Sequence, residues 1–268
     1  MMDKVSIVGC GWLGLPLGKL LVEKGFVVKG STTTANKIDQ LRSLGIKAFL
    51  VNFLEDLKVD QDIFDTDVLV VTLPPSQKKQ SEQKYLESLE FLVSKTSPGT
   101  KLIFTSSTSI YKSLSSELRE EDVMDIKDSG YALLFNAENI FVQSGRPYTV
   151  VRFGGLTGYD RILIKYFAGK KELTFGHEPV NLIHRDDAVQ ILFEVIRQQK
   201  WNNIFNACAP RHPLKKDFYT FLAETYNFEK PHFADSLTHN NYKVINPDKL
   251  IRELSYQFKF EDPYSFTY

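Results

Sequence analysis

The sequence is poor in cysteine and histidine, and it has no surplus of charge of either sign. Two cysteines cannot form the disulfide framework of a small secreted protein, and five scattered histidines suggest no metal site. Lysine plus arginine and aspartate plus glutamate each number 33, so charge gives no reason to expect binding of nucleic acid or of an anionic membrane. No apolar run is long enough to span a bilayer.

The start of the chain is the one stretch with the look of a secretion signal: VSIVGCGWLGLPLGKLL, residues 5–21. Three glycines interrupt its apolar run, Lys19 lies inside it, and no small-residue cleavage site follows. We therefore expect no signal peptide and a reduced, cytoplasmic location. Cys10, within the glycine-rich part, is expected to be a small filler rather than a reactive thiol.

The same stretch fits a strand, a glycine turn and a helix. Residues 5–8 are apolar and β-branched, as in a buried parallel strand, and the leucines at 13, 17, 20 and 21 recur at helical spacing. Between them lies G-x-G-x-x-G, which permits a tight turn, a close approach to a pyrophosphate and close helix packing. The alternative is a glycine-rich turn in another kind of α/β protein. The residues predicted to bind a dinucleotide here are Gly9, Gly11, Trp12, Leu13 and Gly14.

Strand and helix patterns then alternate along the chain. Strands are predicted at 26–31, 48–53, 67–73, 101–105, 148–152 and 204–207. Helices are predicted at 36–43, 81–94, 186–197 and 217–226. Such alternation predicts a parallel sheet that is covered by helices on both faces.

Several motifs in order resemble the short-chain dehydrogenase/reductase superfamily of the extended or atypical type, which includes the nucleotide-sugar epimerases. They are GCGWLG at 9–14, the two prolines at 74–75, SSTSIY at 106–111, RFGGLTG at 152–158 and NLIHRDD at 181–187. The resemblance implies an α/β fold, a Rossmann doubly wound parallel sheet with a smaller C-terminal α/β lobe. It places the NAD(P)-binding domain at 1–155, with 181–208 returning to it, and a small substrate-binding lobe at 156–180 and 209–268.

The resemblance also extends the expected cofactor contacts to the ends of the predicted strands. The stretch after the second strand has hydroxyls, with Lys37 close by, but lacks the acid that holds the ribose 2′-hydroxyl in NAD-preferring folds. NADP is therefore favoured over NAD; the alternative is that residues 31–34 only cap the next helix. The further cofactor-binding residues expected are Ser31, Thr32, Thr33, Asn52, Leu73, Pro74, Pro75 and Ser106.

In enzymes of this superfamily a tyrosine transfers a proton, a serine or threonine holds the substrate oxygen, and a lysine four residues after the tyrosine lowers its pKa. Ser107 matches the serine, and Tyr131 lies close to the place of the tyrosine. Four residues further on is Phe135, and Leu134 takes the position if the register slips by one residue. The Y-x-x-x-K motif is therefore absent in either register.

The missing lysine leaves the roles of the catalytic candidates open. Lys112 and Arg161 are alternative cations, and Tyr131 is alternatively a packing residue. Ser107 is alternatively a loop cap or a contact of the nicotinamide ribose. A tyrosine with a pKa near 10 is ionised only about one time in a thousand at pH 7, so the missing charge matters.

We expect an NAD(P)-dependent oxidoreductase or epimerase-like protein that acts by hydride transfer on a small polar or sugar-nucleotide substrate. The alternative is a non-catalytic NAD(P)-binding protein with a redox-sensing or regulatory role. A third interpretation, a hydroxyacid-dehydrogenase-type loop, is disfavoured by the S-S-x-x-x-Y segment. A homodimer stays open by analogy with the superfamily.

Overall fold

A computed structural model of the chain describes residues 3–55, 59–75, 82–234 and 242–268. The strands are β1 (Lys4–Val8), β2 (Val27–Thr32), β3 (Lys47–Leu50), β4 (Val68–Val71), β5 (Lys101–Ser107), β6 (Ser116–Leu118), β7 (Tyr148–Phe153), β8 (Gly155–Thr157), β9 (Leu182–His184), β10 (Asn203–Ala207) and β11 (Lys243–Ile245). The α-helices are α1 (Gly14–Glu23), α2 (Ile38–Ser43), α3 (Glu82–Lys95), α4 (Ala132–Val142), α5 (Arg185–Arg197), α6 (Lys215–Thr225) and α7 (Asp248–Leu254).

The central sheet has seven strands in the order β10-β7-β5-β4-β1-β2-β3. Strands β3, β2, β1, β4 and β5 pair in parallel, with Ile7 of β1 opposite Gly30 of β2 and Val70 of β4. The chain order reverses between β1 and β4, which is the point of a doubly wound sheet where ligands bind. The predicted Rossmann α/β fold is thereby confirmed.

The inner strands of the sheet are buried on both faces, as the sequence predicts, whereas the edge strand β3 is partly exposed. All four residues of β4 are buried, and only Lys4 of β1 is partly exposed. Helix α1 turns its buried face, including Leu17 and Leu21, away from solvent. At Gly18 a Cβ atom would come within 2.8 Å of the Ile46 side chain, so glycine allows the helix to lie close to its neighbours.

The chain divides into two compact units, each built from three segments of sequence. The first unit comprises 1–106, 132–152 and 189–205, and the second comprises 107–131, 153–188 and 206–268. In the second unit β8 pairs with β9 and β11 pairs with β6, both in parallel. Its core contains aromatic side chains of α6 and of the C-terminal segment, among them Phe218, Phe260 and Phe266.

Some elements differ from the sequence predictions. Helix α4 was not predicted, because its segment ALLFNAENIFV is apolar on most sides and shows little helical periodicity. The predicted strand 48–53 ends at Leu50, since Asn52 accepts a hydrogen bond from Leu54 N–H and turns the chain. The predicted helix 36–43 is a 3₁₀ turn, Ala35–Lys37, followed by α2. Ser81, the first residue of the predicted helix 81–94, lies outside the described residues.

Across the described part of the chain, the helices are too short or too polar to cross a membrane.

Candidate functional site

The glycine loop after β1 is held by hydrogen bonds from the two neighbouring strands. Gly9 has a φ of +102°, a conformation that favours glycine, and its N–H donates to Ser31 Oγ at 3.0 Å. The N–H of Cys10 donates to the Ser31 carbonyl at 2.7 Å, and Thr72 Oγ1 donates to the Gly9 carbonyl at 2.6 Å. The loop is therefore fixed between the ends of β2 and β4.

The three glycines of this loop are in different surroundings. A Cβ atom at Gly14 would lie 2.3 Å from the Gly9 carbonyl oxygen, and one at Gly9 would lie 2.7 Å from Thr72 Oγ1. Gly11 is exposed, and a Cβ atom there would have nothing within 4 Å. Gly9 and Gly14 thus serve the packing of the loop, whereas Gly11 leaves its outer surface open. This open surface, beside the N-terminus of α1, fits the diphosphate of a dinucleotide.

Cys10 fills the space beneath the loop. Its side chain is buried and packs against Gly30, where a Cβ atom would lie 2.4 Å from the sulfur. Burial raises the pKa of the Cys10 thiol to about 12. Cys10 is therefore a neutral filler, as the sequence predicts.

Strand β2 contains a buried cation near its start and several hydroxyls at its end. Lys29 is buried, and its ammonium lies 3.1 Å from a carboxylate oxygen of Asp62 and 3.6 Å from one of Asp65. Thr32 Oγ1 accepts a hydrogen bond from Thr34 N–H, and Thr33 is exposed. The Lys29 ammonium is therefore engaged with two carboxylates, and the end of β2 itself carries hydroxyl groups.

The other predicted cofactor residues of the first unit also follow strands. Asn52 comes after β3, and Leu73, Pro74 and Pro75 come after β4. The carbonyl of Leu73 accepts a hydrogen bond from the Tyr85 hydroxyl at 3.0 Å. In a parallel sheet the strands end at one edge, so these residues share the edge that carries the glycine loop. Their contact with a cofactor stays a prediction.

Ser106 points into the interior of the first unit. Its hydroxyl donates to Glu138 Oε1 at 2.6 Å, and the Glu138 carboxylate also accepts hydrogen bonds from Arg152. All three side chains are buried. Ser106 therefore helps to satisfy a buried ion pair, and its predicted contact with the cofactor stays a prediction.

Ser107, at the end of β5, caps a short 3₁₀ helix. Its Oγ accepts a hydrogen bond from Ser109 N–H at 3.1 Å and donates to Ser109 Oγ at 3.0 Å. The cap was one of the two alternatives that the sequence left open for Ser107. Tyr111, by contrast, is buried, and its hydroxyl donates to Asn206 Oδ1 at 2.7 Å.

Tyr131 is half-buried, directly before α4. Its N–H donates to Ser129 Oγ at 3.0 Å, while its hydroxyl makes no hydrogen bond to the described residues. Phe135 occupies the place of the family lysine and is also half-buried. Lys112, an alternative cation, donates to the carbonyl of Lys127. The phenol of Tyr131 is therefore available, and Phe135 carries no charge in the place of the lysine.

The second unit contains a cavity of about 330 Å³ that the sequence did not predict. Ser107 lines it together with two lysines, a glutamate and two tyrosines from distant parts of the chain: Lys215, Lys243, Glu178, Tyr219 and Tyr242. No local motif marks these residues. The sequence points to this cavity only through Ser107, which matches a catalytic serine. The other lining residues are identified once the structure shows which side chains lie near Ser107.

His184 lies in the interior of the second unit and has both ring nitrogens engaged. Its Nε2 lies 3.1 Å from the Thr267 carbonyl, and its Nδ1 accepts a hydrogen bond from Asp186 N–H at 3.2 Å. Since a carbonyl can only accept, Nε2 carries the proton and the ring is neutral. Burial lowers the pKa of His184 and favours the same state. The histidine is structural.

Comparison with known proteins gives a family. A family model described as NAD(P)H-binding matches residues 9–199. The chain is 32% identical to Protein YeeZ of Escherichia coli (strain K12) over 269 residues, which cover 98% of each chain.

Solved structures give the same fold. UDP-glucuronic acid 4-epimerase from Bacillus cereus, in complex with UDP-glucuronic acid and NAD, superposes with a TM-score of 0.79 at 16% identity over 98% of this chain and 96% of that one. UDP-N-acetylglucosamine 4-epimerase from Bacillus cereus superposes with a TM-score of 0.70 at 17% identity over 99% and 96%. The chain belongs to the NAD(P)H-binding family and has the fold of the extended short-chain dehydrogenase/reductases.

Proposed function

We propose that this chain is an NAD(P)-dependent oxidoreductase or epimerase-like enzyme that acts by hydride transfer on a small polar or sugar-nucleotide substrate. The observation that carries the proposal is the open surface at Gly11, in a loop where both other glycines are closely packed. A side chain could stand at Gly11 without a clash within the protein. Glycine there is therefore explained by close approach of a ligand, and the N-terminus of α1 beside it favours an anion.

The chain's own residues have distinct parts in this proposal. Gly11 would leave room for the diphosphate, the start of α1 would hold it, and the bound nicotinamide supplies the carbon that gives or takes hydride. Tyr131, whose hydroxyl makes no hydrogen bond to the described residues, would hold the proton that is exchanged with the substrate oxygen. Ser107 would orient that oxygen, and to do so its hydroxyl would exchange the hydrogen bond that it donates to Ser109 Oγ for one to the substrate.

The cofactor preference that we propose is NADP. Thr33 and Lys37 are exposed after β2, and no acid stands at the strand end to hold a ribose 2′-hydroxyl. A hydroxyl and a cation can together receive a 2′-phosphate. Lys29 takes no part, because it is buried against Asp62 and Asp65.

A second candidate function is a non-catalytic NAD(P)-binding protein with a sensing or regulatory role. It is favoured by Phe135, which can neither carry charge nor hydrogen-bond a ribose. A charge at about 4 Å in an effective dielectric constant near 20 is worth roughly 4 kcal/mol, so the missing lysine removes a large stabilisation of a tyrosinate.

A cytoplasmic location and a homodimer also remain predictions from the sequence.

Binding and turnover assays distinguish the two candidates. NADPH and NADH are titrated by calorimetry, and the loaded protein is then offered UDP-glucuronic acid, UDP-glucose and small carbonyl compounds. We expect tighter binding of NADPH, and hydride transfer that falls at least tenfold in Tyr131→Phe and in Ser107→Ala. Tyr166→Phe, at an exposed tyrosine of the same unit, is the control that leaves the rate unchanged.

Cofactor binding without turnover of any compound in the panel would favour the non-catalytic function. If neither NADPH nor NADH binds, both functions are excluded.

A further inference from the structure

Lys243 is a half-buried cation without a carboxylate partner among the residues that the structure describes. Its Nζ donates to the Thr108 carbonyl at 2.9 Å and to the Tyr111 carbonyl at 3.1 Å. An ammonium group has three N–H donors, so these two neutral acceptors leave one donor over. The side chain lines the cavity of the second unit, and the remaining donor has the cavity within reach.

The charges that line this cavity do not cancel. Lys215 forms an ion pair with Glu178, with Nζ and Oε2 2.5 Å apart. Among the described residues that line the cavity, Lys243 therefore leaves one uncompensated positive charge. Burial, and secondarily repulsion by Lys215, lower the pKa of Lys243, which shows that its charge is costly here. Buried charges are normally paired. An anion in the cavity would therefore offset both the burial of the Lys243 charge and its repulsion by Lys215.

The position of Lys243 is fixed before any ligand arrives. Strand β11, which begins at Lys243, pairs with β6, and the side chain of Asn181 holds it from the other side. Asn181 Nδ2 donates to the Lys243 carbonyl at 2.8 Å, and its Oδ1 accepts a hydrogen bond from Ile245 N–H at 2.8 Å. A preorganised cation binds an anion without a further ordering cost.

A second donor lines the same cavity. Tyr219 is buried, and its hydroxyl makes no hydrogen bond to the described residues. Burial raises the pKa of Tyr219, so the hydroxyl keeps its proton and can donate it to a ligand oxygen. Lys243 and Tyr219 together offer one charged and one neutral donor.

We propose that this cavity binds an anionic group of the substrate, a carboxylate or a phosphoryl group, on the ammonium of Lys243 with the Tyr219 hydroxyl as second donor. This assignment rests on the proposed function, because Ser107, the residue assigned there to the substrate oxygen, lines the same cavity. Within the small polar compounds and sugar nucleotides of the proposed function, the substrates are thereby narrowed to those that place a carboxylate or a phosphoryl group in this cavity.

Three probes that share one sugar ring test the assignment: glucose, glucuronic acid and glucose 6-phosphate. Each is titrated by calorimetry into the cofactor-free protein. We expect both anionic probes to bind at least tenfold more tightly than glucose, and the stronger of the two identifies the anionic group. The preference should be lost in Lys243→Met and kept in Lys216→Met, whose lysine is exposed on the same unit outside the cavity.

Lys243 also holds two carbonyls, so Lys243→Met is accompanied by variants that are gentler on the fold. Lys243→Arg should keep the preference for anions, and Tyr219→Phe should weaken binding of both anionic probes severalfold. Equal binding of the three probes by the wild type would overturn the assignment. So would an unchanged preference in both Lys243→Met and Tyr219→Phe.

Titration of NADPH into the same variants separates this inference from the proposed function. The cavity residues belong to the second unit and the glycine loop to the first, so we expect Lys243→Met to bind NADPH like the wild type. NADPH binding with no preference for anions would refute the cavity assignment alone. A preference for anions with no NADPH binding would refute the proposed function alone.

Discussion

Arg152 and Glu138 form an ion pair inside the first unit, with the side chains only 1% and 4% exposed. The Nε of Arg152 lies 3.1 Å from both carboxylate oxygens, and Nη2 lies 2.8 Å from Oε2. The Ser106 hydroxyl adds a further hydrogen bond to Oε1. Strand β7, which contains Arg152, is thereby fastened to α4, which contains Glu138.

Removal of one partner of this pair should destabilise the protein strongly. In Arg152→Met the Glu138 carboxylate stays buried without its counter-ion, which typically costs about 3–5 kcal/mol. The free energy of unfolding, measured by urea denaturation, should fall by about that amount.

The double variant Arg152→Met/Glu138→Leu is the matched control. It removes both charges, so we expect it to be more stable than Arg152→Met alone. A single variant as stable as the wild type would mean that the pair is not buried in solution.

Gly11→Ala should weaken NADPH binding with little change in stability, whereas Gly14→Ala should destabilise the fold. The methyl group at Gly11 meets nothing within 4 Å, so the free energy of unfolding should change by less than about 1 kcal/mol, while the dissociation constant for NADPH rises at least tenfold. The methyl group at Gly14 would lie 2.3 Å from the Gly9 carbonyl oxygen, so unfolding should become easier by about 1–3 kcal/mol. Urea denaturation and calorimetry measure the two effects. Unchanged NADPH binding by Gly11→Ala would refute the diphosphate site.

His184 should make the protein less stable in mild acid. Because burial lowers its pKa in the folded state, the unfolded chain takes up a proton below about pH 6.5 that the folded chain does not. The free energy of unfolding therefore falls as the pH falls from 6.5 to the lowered folded pKa, by at most about 1.4 kcal/mol per pH unit. Urea denaturation at pH 7.5, 6.5 and 5.5 gives this slope.

The contribution of His184 is isolated by two variants. His184→Gln should show a shallower loss of stability in acid than the wild type, whereas the exposed His177→Gln should keep the wild-type slope. His212, whose pKa burial also lowers, accounts for part of the slope that remains. Equal slopes in His184→Gln and the wild type would contradict a neutral His184.

Both thiols should resist modification in the folded protein. Cys10 and Cys208 are buried, and a thiol with a pKa of about 12 carries roughly a thousandfold less thiolate at pH 8 than one of ordinary pKa. A disulfide reagent should therefore react slowly with the native chain and promptly with two thiols per chain in denaturant. Rapid reaction of one thiol in the native protein would contradict the packing of Cys10 against Gly30.

The sequence predicts those parts of the molecule whose structure is determined by residues close together in the sequence. The turn from β1 into α1 depends on glycines within six positions, so its motif is legible in the sequence. No helix is predicted over α4, because apolar residues cover most of its surface and weaken the contrast between its buried and exposed faces.

The remaining features depend on contacts between residues that are far apart in the sequence, so the sequence alone does not predict them. The partners of Lys29, Asp62 and Asp65, lie more than thirty residues away, and only the structure shows that this lysine is committed. Lys243 is separated from Thr108 by 135 positions, so no spacing rule could have placed it at a cavity with Ser107.

The order of strands in the central sheet bears on how the chain is made. Strand β7 lies between β5 and β10, and β10 ends at Ala207. During synthesis the outer edge of β7 thus stays unpaired until some fifty further residues have left the ribosome, and an open strand edge invites aggregation. A fragment that stops after β7 would expose this edge permanently, so truncation to an N-terminal nucleotide-binding piece should yield an insoluble product.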